Sequence, residues 1–375
     1  MNNIPSPCFV IEEKKLLKNL ELLQFVRKQA GVDILVALKG MSFWHYFPLM
    51  KKYLSGACAS SLNEARLIFE EMGVKAHTYA PAYEESDFDK LLEMSCSVTF
   101  NSLNQWNKYK DKMVQRPEIS AGLRINPGYS EIETDIYNPA VPGSRLGIPA
   151  EQMPDKLPDG ISGLHFHVMC EQDSFVLERV LKVIEEKFSH LLRQAKWINL
   201  GGGHHITRAD YDVNHLIDLL KNFKLKYPNL NVILEPGEAV GWKTGNLIAT
   251  VLDIVENAGI KTAILDVSFS AHMPDTLEMP YKPVIIGADE PDVFDYVYRM
   301  GGSTCLAGDF MGDYSFPNAL EIGDKIEFED MIHYTMVKTT LFNGVKHPSI
   351  GKIDLNGKFT LLRTIGYEQY KERLS

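Results

Sequence analysis

Of eight short apolar runs in the first 240 residues, seven finish on groups that can do chemistry. Lys39 closes "ILVALK", Ser60 closes "GACAS", Asn101 closes "SVTFN", Arg124 and Asn126 close "GLRIN", and His165 and His167 close "GLHFH". Gly201, Gly202 and Gly203 end "WINLGGG", and Glu235 with Gly237 ends "VILEPG". A lysine in a dry pocket is an imine-forming nucleophile, a carboxylate can keep a ring nitrogen protonated, an imidazole can face a flat ring, and clustered glycine N–H groups can cradle a phosphate. Taken singly, each has a plainer explanation. A lysine at a strand end usually snorkels to water, and glycines usually make tight turns. The joint occurrence favours one converging site.

Convergence requires a scaffold that brings strand ends together. The runs, with "HTYA" as the eighth, alternate in most cases with helical patterns. "SSLNEARLIFEEMG" has Ser61 as N-cap, Glu64 completing a capping box, Ala65, Ile68, Phe69 and Met72 on one face, and Gly73 as the stop. "FVLERVLKVIEEKFSHLLRQ" keeps the same 3.6-residue rhythm. Eight strand and helix units predict an α/β fold, a (β/α)8 barrel over residues 9–240 with its site at the carboxyl ends of the strands. Beyond residue 240, short β-rich runs between Gly, Pro and Asp clusters predict an antiparallel β-domain over 241–375, completed by residues 1–8. The Pro- and Gly-rich stretch 127–160 is read as a functional or mobile loop.

Composition narrows the partners. The 375 residues are 45% hydrophobic, enough for a large core, and 49 acidic against 39 basic residues give a net charge of −10. With no basic run, nucleic acid is excluded as a partner, and no apolar stretch approaches the ~20 residues of a membrane span. The start has no secretory pattern, so a cytoplasmic protein is expected. The five scattered cysteines form no C-x-x-C pair, so neither disulfides nor a metal site is expected.

Pyridoxal phosphate needs a lysine amine, a carboxylate at its ring nitrogen, a partner for its ring face and N–H groups for its phosphate; Lys39, Glu235, His167 and Gly201–Gly203 supply these in turn. The ordered motifs "ALKG", "CASS", "RINPG", "SRLG", "LHFHV", "LGGG", "EPG", "GGSTCLAGD" and "YTMVKTTLFNG" resemble the fold-type III pyridoxal-phosphate decarboxylases, the alanine racemase-like group of ornithine and diaminopimelate decarboxylases. The resemblance implies that Lys39 carries the cofactor as a Schiff base, His167 stacks on its ring and Glu235 pairs with its nitrogen, while Gly201–Gly203, Gly237 and Tyr334 hold the phosphate. It also implies that Cys305 is a catalytic proton donor supplied by the partner in a head-to-tail homodimer with shared active sites.

Departures from the pattern narrow it. Glu238 follows "EPG" where relatives carry an arginine on the phosphate, Met169 and Cys170 alter the usual "HxGS", and Leu306 follows the cysteine where relatives place an acid. With "SAHMPDTLEMPY", these resemble the carboxynorspermidine/carboxyspermidine decarboxylases of polyamine biosynthesis. Glu238, Asp275, Asp309 and His272 are then the implied residues around a polyamine tail. Kept open are a decarboxylase for diaminopimelate or another basic amino acid, a non-catalytic homologue, and a racemase on the same barrel.

Overall fold

The computed structural model describes residues 3–375. The chain divides into two units: Asn19–Val240, and Gly241–Ser375 joined by the chain up to Lys18. The strand β1 (Cys8–Glu12) belongs to the second of these. The first unit carries β2 (Asp33–Ala37), β3 (Gly56–Ala59), β4 (Ala76–Tyr79), β5 (Ser95–Phe100), β6 (Ser120–Asn126), β7 (Ile161–His165), β8 (Trp197–Asn199) and β9 (Asn231–Leu234). Each pairs in parallel with the next, and β9 pairs back onto β2, which closes an eight-stranded barrel. The strands are apolar runs because both faces are covered: Ile34, Leu35, Val36 and Ala37 are all buried.

Helix α1 (Glu13–Ala30) leads into β2, and α2 (Phe47–Tyr53), α3 (Leu62–Leu67), α4 (Glu85–Glu93), α5 (Leu103–Val114), α6 (Ser174–Leu192) and α7 (Val213–Lys226) lie between successive strands. Asp173 caps α6 by accepting from Phe175 N and Val176 N at 3.0 and 2.9 Å, and Val176, Val180, Ile184 and Phe188 then fall on its buried face. Ser61 caps α3 through Glu64 N at 3.2 Å, while Glu64 reaches Ser60 N at 2.6 Å, one residue earlier than a standard capping box. Gly73 ends the run at φ +65°. Phe69, expected on the inner face, is instead exposed. After Leu67 the backbone widens into a π-turn over Ile68–Met72, and the wider turn rotates Phe69 outward while Ile68 and Met72 stay inside.

The stretch 127–160 is pinned at the rim. Asn126 Nδ2 donates to Pro139 O and Leu146 O at 3.0 Å each; Asn101 Nδ2 donates to Arg145 O and its Oδ1 accepts from Gly147 N, both at 2.8 Å. Glu131 takes a two-pronged contact from Arg179 at 2.7 and 2.8 Å. Gly147, at φ +81°, has no room for a side chain, because a Cβ there would lie 3.0 Å from Ile125 C.

In the second unit, β1 joins β10 (Gly245–Asn257), β11 (Ile260–Leu265), β12 (Tyr296–Gly301), β13 (Phe310–Phe316), β14 (Lys325–Phe328), β15 (Ser349–Ile353) and β16 (Phe359–Arg363). The order is β13-β12-β11-β10-β1-β15-β16, with β14 also on β10. The expected antiparallel arrangement needs one correction, since β1 with β15 and β11 with β12 are parallel pairs. Both pairs join strands separated by long connections, which return the chain to its starting end; short hairpins would have forced antiparallel pairing. Among the described residues no helix is long and apolar enough to cross a membrane.

Trp197 supplies a test of barrel packing. Its Nε1 donates to Ser120 Oγ at 2.7 Å, and its ring lies against Gly122 and Gly163, where a Cβ would come within 2.3 and 1.9 Å of it. Gly163→Ala is expected to lower the unfolding free energy by about 1–3 kcal/mol through overpacking, read from urea denaturation. A change below about 0.5 kcal/mol, the ordinary scatter of neutral surface substitutions, would show that the indole moves aside freely.

Candidate active site

Five neighbouring strands of the barrel carry the charged and polar groups of the site. Arg124 stands on β6, His165 ends β7 and Asn199 ends β8, and the three lie in register across the sheet. Glu235 follows the end of β9, and Lys39 follows the end of β2, the strand paired with β9. The Lys39 turn is tight: Gly40 N and Met41 N both donate to Ala37 O at 3.0 Å. It packs backbone to backbone on the turn after Glu235, since a Cβ on Gly40 would sit 3.2 Å from Gly237 C, and one on Gly237 would sit 2.7 Å from Ala37 O.

Lys39 Nζ lies 3.0 Å from His167 Nε2, and His167 Nδ1 accepts from Gly202 N at 2.9 Å. That second bond fixes the tautomer. With Nδ1 an acceptor, the neutral ring carries its proton on Nε2 and the amine of Lys39 is the acceptor, a free base. The electrostatics agree: burial and then the Arg124 cation push the lysine pKa down, with Cys58, Glu235 and Cys170 opposing. Burial and the Arg124 cation hold His167 well below the usual imidazole range.

Glu235 is the counter-ion. Burial alone would raise its pKa, but hydrogen bonds from His165 and the Asn199 amide bring it down. Asn199 Nδ2 reaches Oε1 at 2.6 Å and His165 Nε2 lies 3.5 Å from Oε2. The carboxylate is therefore ionised throughout the physiological range.

The glycine loop is shaped by contact. Cβ atoms on Gly201, Gly202 and Gly203 would fall 2.4 Å from Phe166 O, 2.7 Å from Glu235 O and 2.0 Å from Met169 O, and Gly201 and Gly203 have φ of +74° and +83°. Two of the three N–H groups are committed, Gly201 N to Asn199 Oδ1 and Gly202 N to His167 Nδ1, both at 2.9 Å. Among the described residues the Gly203 N–H has no protein acceptor. Cys170 is raised to about 12 by burial and by the Glu171 and Glu238 carboxylates, so it stays a neutral thiol. Glu238 opens the short helix α8 (Glu238–Gly241). The donor set fits pyridoxal phosphate: a free-base lysine, an ionised carboxylate, a neutral imidazole beside the lysine and an uncommitted backbone N–H.

The remaining expected residues lie in the sheet unit, on or near α9 (Phe269–His272), α10 (Pro274–Glu278) and α11 (Tyr334–Lys338). Asp275 is buried; its Oδ2 accepts from Thr335 Oγ1 at 2.7 Å and Tyr281 OH at 2.9 Å, while its Oδ1 has no protein donor. His272 Nδ1 accepts from Ser268 N at 3.1 Å, and burial and His347 push the ring down to about 3 against the pull of Asp309, so it is neutral. Cys305 is exposed, its N–H held by Asn343 Oδ1 at 2.8 Å. Tyr334 begins α11.

Asp309 requires a correction. Its Oδ1 accepts from Phe269 N and Ser270 N at 2.8 and 3.0 Å, and its Oδ2 from Thr304 N and Thr304 Oγ1 at 3.1 and 2.6 Å. A carboxylate has about four acceptor positions, so none remains for a substrate tail. Asp309 instead fixes the loop that bears Cys305. His165 and Asn199 went unassigned in the sequence. For Asn199 the one available signal was its place two residues before the glycine loop.

The role of Arg124 is testable through Lys39. The lysine is expected to capture pyridoxal phosphate with a pH midpoint below the ordinary lysine value of 10.5, because the folded protein favours its neutral form. Arg124→Gln removes a cation and should move that midpoint upward, measured from the absorption of bound cofactor across pH; an unmoved midpoint would remove Arg124 from this account.

Comparison with known proteins agrees with this geometry. Residues 9–332 match the family described as pyridoxal-dependent decarboxylase, C-terminal sheet domain. The chain is 49% identical over 374 residues to the carboxyaminopropylagmatine decarboxylase of Synechocystis sp., covering 100% of this chain and 96% of that one. It is 44% identical over 381 residues to the carboxynorspermidine/carboxyspermidine decarboxylase of Campylobacter jejuni, covering 99% and 98%. The crystal structure of carboxynorspermidine decarboxylase complexed with norspermidine, also from Campylobacter jejuni, superposes with a TM-score of 0.91 at 44% identity, covering 99% of this chain and 100% of that one. The free-base lysine facing an ionised carboxylate thus has its place in a shared scaffold: the chain belongs to the pyridoxal-dependent decarboxylase family, in its carboxynorspermidine/carboxyspermidine decarboxylase branch.

Proposed function

We propose that the chain decarboxylates carboxynorspermidine or carboxyspermidine, giving norspermidine or spermidine. The observation that carries this reading is the Lys39–His167–Glu235 arrangement in a chain similar over its full length to enzymes named for these substrates. A second reading, carboxyaminopropylagmatine, is favoured by the 49% identity to the Synechocystis enzyme. The candidates share a carboxylated amino head and differ in the cationic tail.

When bound, pyridoxal phosphate supplies an electron sink for the pair left on Cα as carbon dioxide departs. Lys39 would hold the cofactor through its amine and, once released from it, could carry a proton. Glu235, ionised, would keep a proton on the ring nitrogen. His167 would face the ring, and Gly203 with Gly201, Gly202, Gly237 and Tyr334 would hold the phosphate. Cα gains one proton to replace the lost carboxylate, and Cys305 of a second subunit or Lys39 donates it. The exposure of Cys305 and its pinned loop support a head-to-tail homodimer with shared active sites.

Glu238 and Asp275 are the proposed acceptors for the tail, with His272 as a neutral wall. The support for Asp275 is its buried Oδ1, which has no protein donor: a buried carboxylate oxygen without a partner is costly unless a ligand completes it.

Carbon dioxide release is the assay. Lys39→Ala should release none, and kcat/KM should favour the carboxylated polyamines over diaminopimelate, with a one-methylene change between the two spermidine-type substrates worth about 10- to 200-fold at most. A preference for diaminopimelate would overturn the reading. If Cys305 is the donor, Cys305→Ala is inactive, and mixing it with Lys39→Ala protein should restore about a quarter of wild-type activity, because random reassortment of a two-fold dimer makes half the molecules mixed, each with one intact site. No recovery on mixing would assign both residues to one subunit.

A further inference from the structure

His165 ends β7 and has no part in the chemistry assigned so far. Its ring is 2% exposed, walled on one side by Tyr79 at a centroid distance of 5.1 Å and on another by the Glu235 carboxylate, with Nε2 3.5 Å from Oε2. Neither ring nitrogen has a closer protein partner. An imidazole buried without a good hydrogen bond is costly, and a leucine would fill the same space without that penalty. Tyr79 is itself fixed, its OH donating to Asn101 Oδ1 at 2.8 Å and its ring lying 4.7 Å from the Arg124 guanidinium carbon. The ring of His165 therefore has a set orientation, edge toward Glu235.

We propose that His165 is a positioning residue: its Nε2–H holds Oε2 of Glu235 while Asn199 holds Oε1, so that the carboxylate plane is fixed and its remaining lone pair faces the ring nitrogen of the bound cofactor. The inference rests on the reading of Glu235 as the partner of that nitrogen. Burial keeps His165 below the usual imidazole range even with Glu235 pulling the other way. It thus donates a hydrogen bond without adding a charge that would compete with the ring for the carboxylate. Contacts of this kind are often long in the free protein and shorten when the site is filled.

The test uses full-length protein stripped of cofactor and titrated with pyridoxal phosphate, with affinity read from the absorption of the bound form and fold integrity from the melting temperature of the stripped protein. His165→Gln places an amide donor at the reach of Nε2, and His165→Asn falls short of Oε2 by one methylene. The Gln variant is expected within about threefold of wild-type affinity and the Asn variant at least about tenfold weaker, the effect of leaving one buried acceptor unmade. Equal affinities for the two variants would overturn the proposal, since a purely structural role does not distinguish the reach of the donor. Glu235→Gln, run in parallel, should also bind at least about tenfold more weakly. If it binds like wild type, the reading of Glu235 fails and this inference with it; if it is impaired while Asn and Gln at 165 behave alike, this inference alone fails.

Discussion

A carboxylate that stays ionised inside a protein must be surrounded by donors and opposed by positive charge, and in the barrel unit nearly every polar group of the site answers to that need at Glu235. Asn199 is committed to one oxygen, His165 is aimed at the other, and the Arg124 cation lies within electrostatic reach. Asn199 spends its own oxygen on Gly201 N, and Glu235 N donates to Gly201 O at 2.8 Å, so the glycine loop is fixed by the residues that fix the anion. Lys39 is held from the other side by a histidine whose tautomer is set by Gly202. The anion, the amine and the loop form one hydrogen-bonded unit, and barrel closure between β9 and β2 is what brings its two ends together.

Much of this was legible because the information is local. Strands buried on both faces need apolar runs, a barrel puts their carboxyl ends at one rim, and the functional groups terminating seven of the eight runs mark the rim. The eight strands fall where the runs do. What the sequence hid depends on backbone path. Phe69 has the right spacing for an inner face, but a π-turn changes the phase, and no residue type announces such a turn. The parallel pairs in the sheet unit are hidden for a related reason: alternation shows that a segment is a strand and says nothing of which neighbour it meets.

Asp309 shows the same limit in the site. A conspicuous acid four residues after a cysteine reads as a ligand for a cationic substrate, yet four backbone and hydroxyl donors converge on it. Gly302 belongs to the same device, since a Cβ there would lie 2.3 Å from Asp309 Oδ2. The glycines of "GGSTCLAGD" therefore carry information about the aspartate, but only once the path of the loop is known. Asp275 is the opposite case, because one of its oxygens is left unmade.

The glycine loop lies beside two residues whose charges must be weighed together. Gly203 packs on the Met169–Cys170 peptide, and burial, with the Glu171 and Glu238 carboxylates adding to it, keeps the Cys170 thiol neutral. On the proposed reading, a phosphate near this loop gains no side-chain cation from position 238 and depends on backbone N–H groups, of which Gly203 has one uncommitted. The carboxylate at 238 has a better use toward a cation, and a tail bearing secondary and primary ammonium groups supplies one. On the same reading, the glutamate that cannot help a phosphate is the group suited to a cationic tail.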